Sequence, residues 1–334
     1  MKIFVTGGAG YIGSHTVLEL IKSGHEVAVF DNLVKGHREV IEILNNKLNT
    51  NIKFFHGDLV NLEDIEKALG EFLPEAVIHF AAFSEVGESV NDPNKYYKNN
   101  NYGGVNLLNA MRSRGVNKIV FSSTAAVFGQ PDEIPIKETT EKNPINPYGR
   151  SKLFFEKILE DNEKAYGIKY VVLRYFNACG AELEGMIGED HDPESHLIPI
   201  IMEAAKGERD KVSIYGTDYD TKDGTCVRDY IHVIDLADAH IKAVEYLAKD
   251  NVSDNFNLGS SSGFTVKEVI EKVKEVTGKN FQVAIGDRRA GDPAVLIADN
   301  TKAKKILKWE TKYGLNEIIS SAWKWETNKG KYEY

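Results

Sequence analysis

Cysteine is nearly absent from this chain. Cys179 and Cys226 are the only two in 334 residues, too few and too far apart for a disulfide scaffold and wrongly spaced for a Cys-x-x-Cys redox or zinc unit. Reduced thiols and a cytoplasmic setting are therefore expected. No metal-ligand spacing is read among the nine histidines, so no metal is expected. Long apolar runs are missing too: none approaches the roughly 20 residues that cross a bilayer. Met1 leads straight into an apolar strand, so neither a signal peptide nor a membrane partner is expected. Basic tracts are also lacking. A net charge of −9 with no such tract to offset it argues against nucleic acid as a partner, and an anionic ligand would need a local arginine cluster. There is no internal repeat and no low-complexity segment. What remains, 42% hydrophobic and 27% charged residues, describes a globular chain long enough for one large domain or two.

Glycine is plentiful where it counts. Ile3, Phe4 and Val5 read as a buried strand that stops at Gly7-Gly-Ala-Gly10, and Val17, Leu18, Leu20 and Ile21 then take up helical spacing until Gly24. Gly8, Gly10 and Gly13 fit G-x-G-x-x-G, while Gly7, Gly10 and Gly13 fit the wider G-x-x-G-x-x-G. Such glycines allow a tight turn, close backbone approach to a pyrophosphate, and close packing of helix on strand; the positive end of the helix then faces the phosphates. The next strand, Glu26 to Phe30, ends in Asp31, at about the spacing where a carboxylate receives the adenosine ribose hydroxyls. An acid there favours NAD over NADP, although Lys35 and Arg38 lie near.

Strand and helix patterns alternate onward through the strands Ile52–His56, Ala76–Ala82, Lys118–Phe121 and Lys169–Tyr175. Repeats of this length predict an α/β fold, a Rossmann-like doubly wound parallel sheet with right-handed crossovers. Asp58 and Leu59 follow a strand's carboxyl end, where such sheets bind ligands, and Asp58 is equally suited to cap the next helix. Phe80, Ala81 and Ala82 sit at a similar place. A long helix is expected from Asp92-Pro-Asn94 to Met111, with Asn99, Asn100 and Asn101 doing polar work near its start, because Asn is a poor interior helix residue. The alternation breaks after Phe176. Residues 1–177 are read as the dinucleotide domain, with 230–260 packing back onto it, and 178–334 as a smaller C-terminal substrate-binding lobe.

Tyr148 and Lys152 stand one helical turn apart at the start of the helix running to Tyr166, so both can face one way. Thr124, at the end of the preceding strand, offers a hydroxyl to relay a proton. A phenol titrates near roughly 10; acting as a base near neutrality needs a drop of about 3 units, or roughly 4 kcal/mol. The Lys152 ammonium is expected to provide part of this and an oxidised nicotinamide much of the rest.

Thr6-Gly-Gly-Ala-Gly-Tyr-Ile-Gly13, Ser122-Ser-Thr124 and Tyr148-x-x-x-Lys152 together resemble the extended short-chain dehydrogenase/reductase superfamily. Asp31-Asn-Leu33, Ile78-His-Phe-Ala-Ala82, Val86-Gly-Glu-Ser89, Leu173-Arg-Tyr-Phe-Asn177, Asp223-Gly-Thr225, Val227-Arg-Asp-Tyr-Ile-His-Val233 and Arg288-Arg-Ala-Gly-Asp292 narrow the resemblance to its UDP-glucose 4-epimerase family, over essentially the whole chain. Superfamily dehydratases carry an Asp-Glu pair just after the Ser/Thr, where this chain has Ala125 and Ala126.

The resemblance implies reversible 4-epimerisation of UDP-hexoses with tightly bound NAD, in a homodimer. It implies that Gly7, Gly10, Tyr11, Ile12, Gly13, Asp31, Asn32, Asp58, Leu59, Phe80, Ala81, Ala82, Asn99 and Phe176 hold the cofactor, with Tyr148, Lys152 and Thr124 catalytic. Asn177, His196, Leu197, Tyr215, Arg228, Tyr230, Arg289 and Asp292 would hold the nucleotide-sugar, the arginines pairing with its diphosphate. Leu296 stands where a bulky tyrosine is associated with exclusion of N-acetylated hexoses, so UDP-N-acetylglucosamine is an expected further substrate. Ser84 stands where some relatives carry a lysine near the cofactor phosphates. A UDP-glucuronate 4-epimerase and a non-catalytic NAD-binding scaffold are the alternatives.

Overall fold

A computed structural model describes residues 1–289 and 293–331. Seven parallel strands form the main sheet: β1 (Lys2–Thr6), β2 (Glu26–Asp31), β3 (Lys53–His56), β4 (Ala76–His79), β5 (Lys118–Thr124), β6 (Lys169–Tyr175) and the strand Asp254–Leu258. Their order across the sheet is Asp254–Leu258, β6, β5, β4, β1, β2, β3, so strand order reverses at β1, where an open α/β sheet forms its ligand crevice.

Alternation along each strand builds two cores. Ile3, Val5, Val27, Val29, Ile78, Val120 and Val171 pack on one face with α1 (Tyr11–Lys22), α2 (Arg38–Leu48) and the helix Val233–Asp250. Phe4, Ala28, Phe30, Val77, Ile119, Phe121 and Val172 pack on the other with α3 (Leu62–Phe72) and the helices Gly103–Ser113 and Pro147–Tyr166. Strands buried on both faces read as continuous apolar runs, as these do.

A third core gathers the helices Leu197–Lys206, Val266–Thr277 and Leu315–Asn328. Beside it lie short ladders. Asn177–Cys179 runs parallel to Tyr230–His232, and Lys211–Tyr215 to Gln282–Gly286. Val227–Arg228 sits between Phe264–Thr265 and Val295–Leu296.

Three local features differ from the sequence expectation. β4 stops at His79, because the N–H groups of Phe80 and Ala81 both donate to the Thr6 carbonyl and peel the chain off the ladder. α3 is capped by Asn61, which accepts from the Glu63 N–H, so Asp58 is not its cap. The continuous helix expected over 92–111 is broken into Pro93–Tyr96, a π-helical turn Tyr97–Tyr102, and Gly103–Ser113. That extra residue points two asparagines at the neighbouring helix. Asn100 Nδ2 donates to Ser151 Oγ and the Phe83 carbonyl, and Asn101 Nδ2 to the Ser151 carbonyl.

Four histidines are buried in this frame, and burial lowers their pKa: His15 and His240 to about 4, His79 and His232 to about 3. Unfolding frees each to titrate near roughly 6.5, so the unfolded chain binds more protons from that pH downward. Their contribution is complete above that pH and is lost as pH falls toward the folded values. Asp235, raised to about 6 by burial, offsets one of the four below pH 6. The urea midpoint should therefore drop between pH 7 and 5, each uncompensated histidine costing up to about 1.4 kcal/mol per pH unit. A midpoint unchanged over that interval would contradict the assignment.

Candidate active site

One cavity of about 830 Å³ opens at the carboxyl ends of the strands, between the main sheet and the third core. Every residue assigned above to cofactor, chemistry or nucleotide-sugar lines it, with one exception: Asp292 lies outside the described residues.

The glycine loop forms its floor. Gly7 has φ 72°, and a Cβ there would lie 2.6 Å from the Ala81 nitrogen. A Cβ on Gly13 would meet the Gly7 carbonyl at 2.1 Å, so α1 packs on the loop only because that position is bare. Gly10 differs. It is the N-cap of α1, no side chain caps that end, and a Cβ there would touch only the Gly7 carbonyl, at 3.4 Å. The missing side chain thus keeps the helix end open to the cleft, which suits a pyrophosphate.

Asp31 ends β2, is 7% exposed, and accepts from the N–H of Ala9 (3.0 Å) and of Leu33 (2.9 Å). Burial raises its pKa against these bonds. Asn32 Nδ2 donates to Asp58 Oδ2 at 3.0 Å, joining the ends of β2 and β3. Lys35 is paired with Glu85 at 2.9 Å, and the Arg38 guanidinium lies over the Phe54 ring, 4.9 Å from its centroid. Neither cation is a dedicated partner for a 2′-phosphate. These features fit NAD.

At the centre, β5 delivers Thr124, whose Oγ1 caps the short turn Ala125–Phe128. The helix Pro147–Tyr166 begins against that turn. Asn146 caps it by accepting from the Gly149 N–H at 2.8 Å, Pro147 has a preset φ at the first position, and a Cβ on Gly149 would lie 2.6 Å from the Ala126 carbonyl. This close start sets the Tyr148 hydroxyl beside the Thr124 side chain on the same cavity.

Without the cofactor, the expected drop in the Tyr148 pKa is not found. In the protein alone the Tyr148 phenol is pushed above its ordinary value by burial, against the opposite effect of the Thr124 side chain. The Lys152 Nζ donates to the Ser122 carbonyl at 2.7 Å. Burial lowers Lys152 itself to about 7, partly countered by Glu156. Glu156 in turn accepts two bonds from the Arg174 guanidinium, at 2.9 and 2.8 Å, and one from Ser123 Oγ.

The far arm is built by the small ladders. Asp229 is fully buried and accepts from Ser260 N–H and Oγ (2.7 and 2.6 Å) and Ala298 N–H (3.1 Å), fixing the chain between Arg228 and Tyr230. The Arg289 guanidinium stacks on Tyr215, 4.1 Å from the ring centroid. Leu296 and Phe176 pack against Val127, Phe128 and Ile136 beside the turn that follows Thr124. His196 lies with Glu189, His191 and Glu194, which sequence spacing did not single out; burial opposes its charge, but the two carboxylates prevail and raise its pKa to about 10.

This sheet, loop and Tyr-Lys-Thr group define an extended short-chain dehydrogenase/reductase. A family model described as GDP-mannose 4,6 dehydratase matches residues 4–322. The UDP-glucose 4-epimerase of Halalkalibacterium halodurans is 52% identical over 97% of this chain and 95% of its own. The Brucella ovis UDP-glucose 4-epimerase, solved in complex with NAD, superposes with a TM-score of 0.92 at 46% identity, covering 96% of this chain and 97% of the other. The Campylobacter jejuni UDP-Glc/GlcNAc 4-epimerase gives 0.87 and 46%, covering 98% and 99%. The chain belongs to the UDP-glucose 4-epimerase family.

Gly10→Ala adds only a Cβ, whose one contact is the Gly7 carbonyl at 3.4 Å, so it should leave the fold intact yet crowd the open helix end. The purified variant is expected to retain at least about tenfold less dinucleotide, by absorbance and mass spectrometry, with a near-native melting temperature. Full retention would overturn this reading of the loop.

Proposed function

We propose that this chain interconverts UDP-glucose and UDP-galactose by reversible epimerisation at C4, with NAD kept in the cleft throughout. The observation that carries the reading is the position of Tyr148, Thr124 and Lys152 on one cavity, with the bare helix end at Gly10 on one side of them and Arg228 and Arg289 on the other. When bound, NAD supplies a positive ring and a two-electron acceptor and donor for the carbon at sugar position 4.

The loop residues Gly7 to Gly13, with Asp31, Asn32, Asp58 and Leu59, would hold the cofactor, along with Phe80, Ala81, Ala82, Asn99 and Phe176. Tyr148 Oη would take the proton of the sugar 4-hydroxyl, and Thr124 Oγ1, which lines the same cavity, would bond that oxygen. Its own surroundings favour the protonated phenol, so Tyr148 takes up a proton readily and releases it only against a nearby positive charge. Lys152, tied to Ser122, adds an ammonium within the same buried group.

Arg228 and Arg289 would grip the diphosphate, leaving the hexose to turn about its link and present either face. Asn177, His196, Leu197, Tyr215 and Tyr230 would complete that grip. Residues 1–177, with 230–260 packed back onto them, would thus mainly serve the cofactor, and the rest of 178–334, with Asn177, the nucleotide-sugar. Ala125 and Ala126 provide no acid or base for eliminating water.

Purified protein should convert UDP-galactose to UDP-glucose without added cofactor. Tyr148→Phe should lower kcat by about 10²–10⁴ while keeping NAD; undiminished turnover would overturn the assignment. Leu296 leaves more room beside the hexose than a tyrosine would, so UDP-N-acetylglucosamine should also be epimerised, and Leu296→Tyr should suppress that activity selectively. Complete inactivity of the unaltered chain on the acetylated sugar would refute this.

A homodimer in the cytoplasm completes the proposal. The exposed Tyr102 and Phe154, the latter stacked on Tyr97 at 6.0 Å, suit a helical face covered by a second copy. Sedimentation at twice the 37.3 kDa chain mass is expected, and a monomer would contradict it.

A further inference from the structure

The segment 189–196 gathers Glu189, His191, Glu194 and His196 so that one ligand atom from each lies within 4.8 Å of the others. His196 Nδ1 is 2.7 Å from Glu189 Oε1 and 3.4 Å from Glu194 Oε1, while His191 Nδ1 is 3.3 Å from Glu189 Oε1 and 3.8 Å from Glu194 Oε2. Four donors bound tetrahedrally at about 2.0–2.2 Å stand roughly 3.4 Å from one another. The four His–Glu separations, with Glu194 reached through either carboxylate oxygen, bracket that value.

Ordinary ion pairing accounts for part of the cluster: the 2.7 Å contact of His196 with Glu189 is a good hydrogen bond. The contacts of His191 with the same carboxylates are longer, at 3.3 and 3.8 Å. The His191 side chain is 25% exposed, but its Nδ1 atom is covered and makes no aligned hydrogen bond to the two carboxylates it faces, whose side chains are each 6% exposed. A donor that is close to its acceptors but misaligned for a proton suits an ion between them.

The segment is also fixed from behind. Trp325 Nε1 donates to the Glu189 carbonyl at 2.9 Å, a Cβ on Gly188 would strike the Trp325 ring at 2.3 Å, and Tyr11 sets its ring edge-on to His191 at 6.4 Å. Outer contacts of this sort hold ligands ready for an ion.

We propose that Glu189, His191, Glu194 and His196 bind one divalent transition-metal ion, zinc above all, that fastens this segment over the nucleotide-sugar arm of the cavity. Two imidazoles and two carboxylates suit zinc or cobalt better than the all-oxygen shells of magnesium and calcium. The ion's role is positional, because the tetrahedral set leaves no open position for substrate or water.

The test uses the full chain, with its cofactor, after EDTA treatment and dialysis. Titration with Co²⁺ should give one equivalent per chain with the visible bands of four-coordinate cobalt, and Zn²⁺ should displace it. His191→Gln and Glu194→Gln should each weaken binding by at least about tenfold. Zn²⁺ should also shield His191 of the unaltered chain from diethylpyrocarbonate, read by peptide mass spectrometry, which does not depend on either variant folding. No saturable binding, undiminished binding in the variants, or unshielded His191 would overturn the proposal. None of these readouts needs sugar turnover, so the site stands or falls apart from the epimerase reading.

Discussion

The rest of the structure depends on how closely the helix Pro147–Tyr166 starts against the turn after β5. With no Cβ at Gly149, the helix start sits on the Ala126 carbonyl, and Tyr148 reaches Thr124. The position is held at three levels. Asn146 caps the end, Asn100 and Asn101 of the π-helical turn grip Ser151, and the buried Glu156–Arg174 pair ties the next turn to β6. That pair is expensive to bury and is compensated by two N–H bonds and Ser123. Its value is fixed geometry, since breaking it would strand a charge beside Lys152.

Burial sets the chemistry that follows. Burial pushes the phenol up and the Lys152 ammonium down, so the group alone rests with its proton on Tyr148. The pocket then responds strongly to charge brought into it, because electrostatic interactions are stronger away from water. The molecule is acidic overall, yet its guanidinium groups line the arm where a diphosphate would lie. Local arrangement outweighs net charge at this range, since exposed charges beyond about 10 Å are screened.

Much of this was legible in the sequence. The glycine loop, Asp31, Thr124, Tyr148 and Lys152 belong to short local patterns, and the alternation of apolar runs with helical spacing predicted a parallel doubly wound sheet, as found. What escaped depends on contacts distant in the chain. Asn99 to Asn101 were singled out as unusual, but nothing local marks a π-helical turn, which follows from bonds to Phe83 and Ser151. Asp58 looked like a cap because Asn61 is an equally good one three residues on. The bond from Lys152 to the Ser122 carbonyl on β5 spans 30 residues, and no local pattern marks it. In 189–196 the pattern Glu-x-His-x-x-Glu-x-His was visible, yet its irregular spacing matches no helical or strand face, and only the loop brings the four together.

The account rests on a phenol that holds its proton until positive charge arrives. Tyrosine labelled with ¹³C at Cζ, compared between the unaltered chain and Tyr148→Phe, isolates the Tyr148 resonance for titration with and without oxidised NAD. It should titrate above the ordinary value of roughly 10 in the nucleotide-free chain and below it in the loaded one. One and the same titration point in both forms would contradict the account.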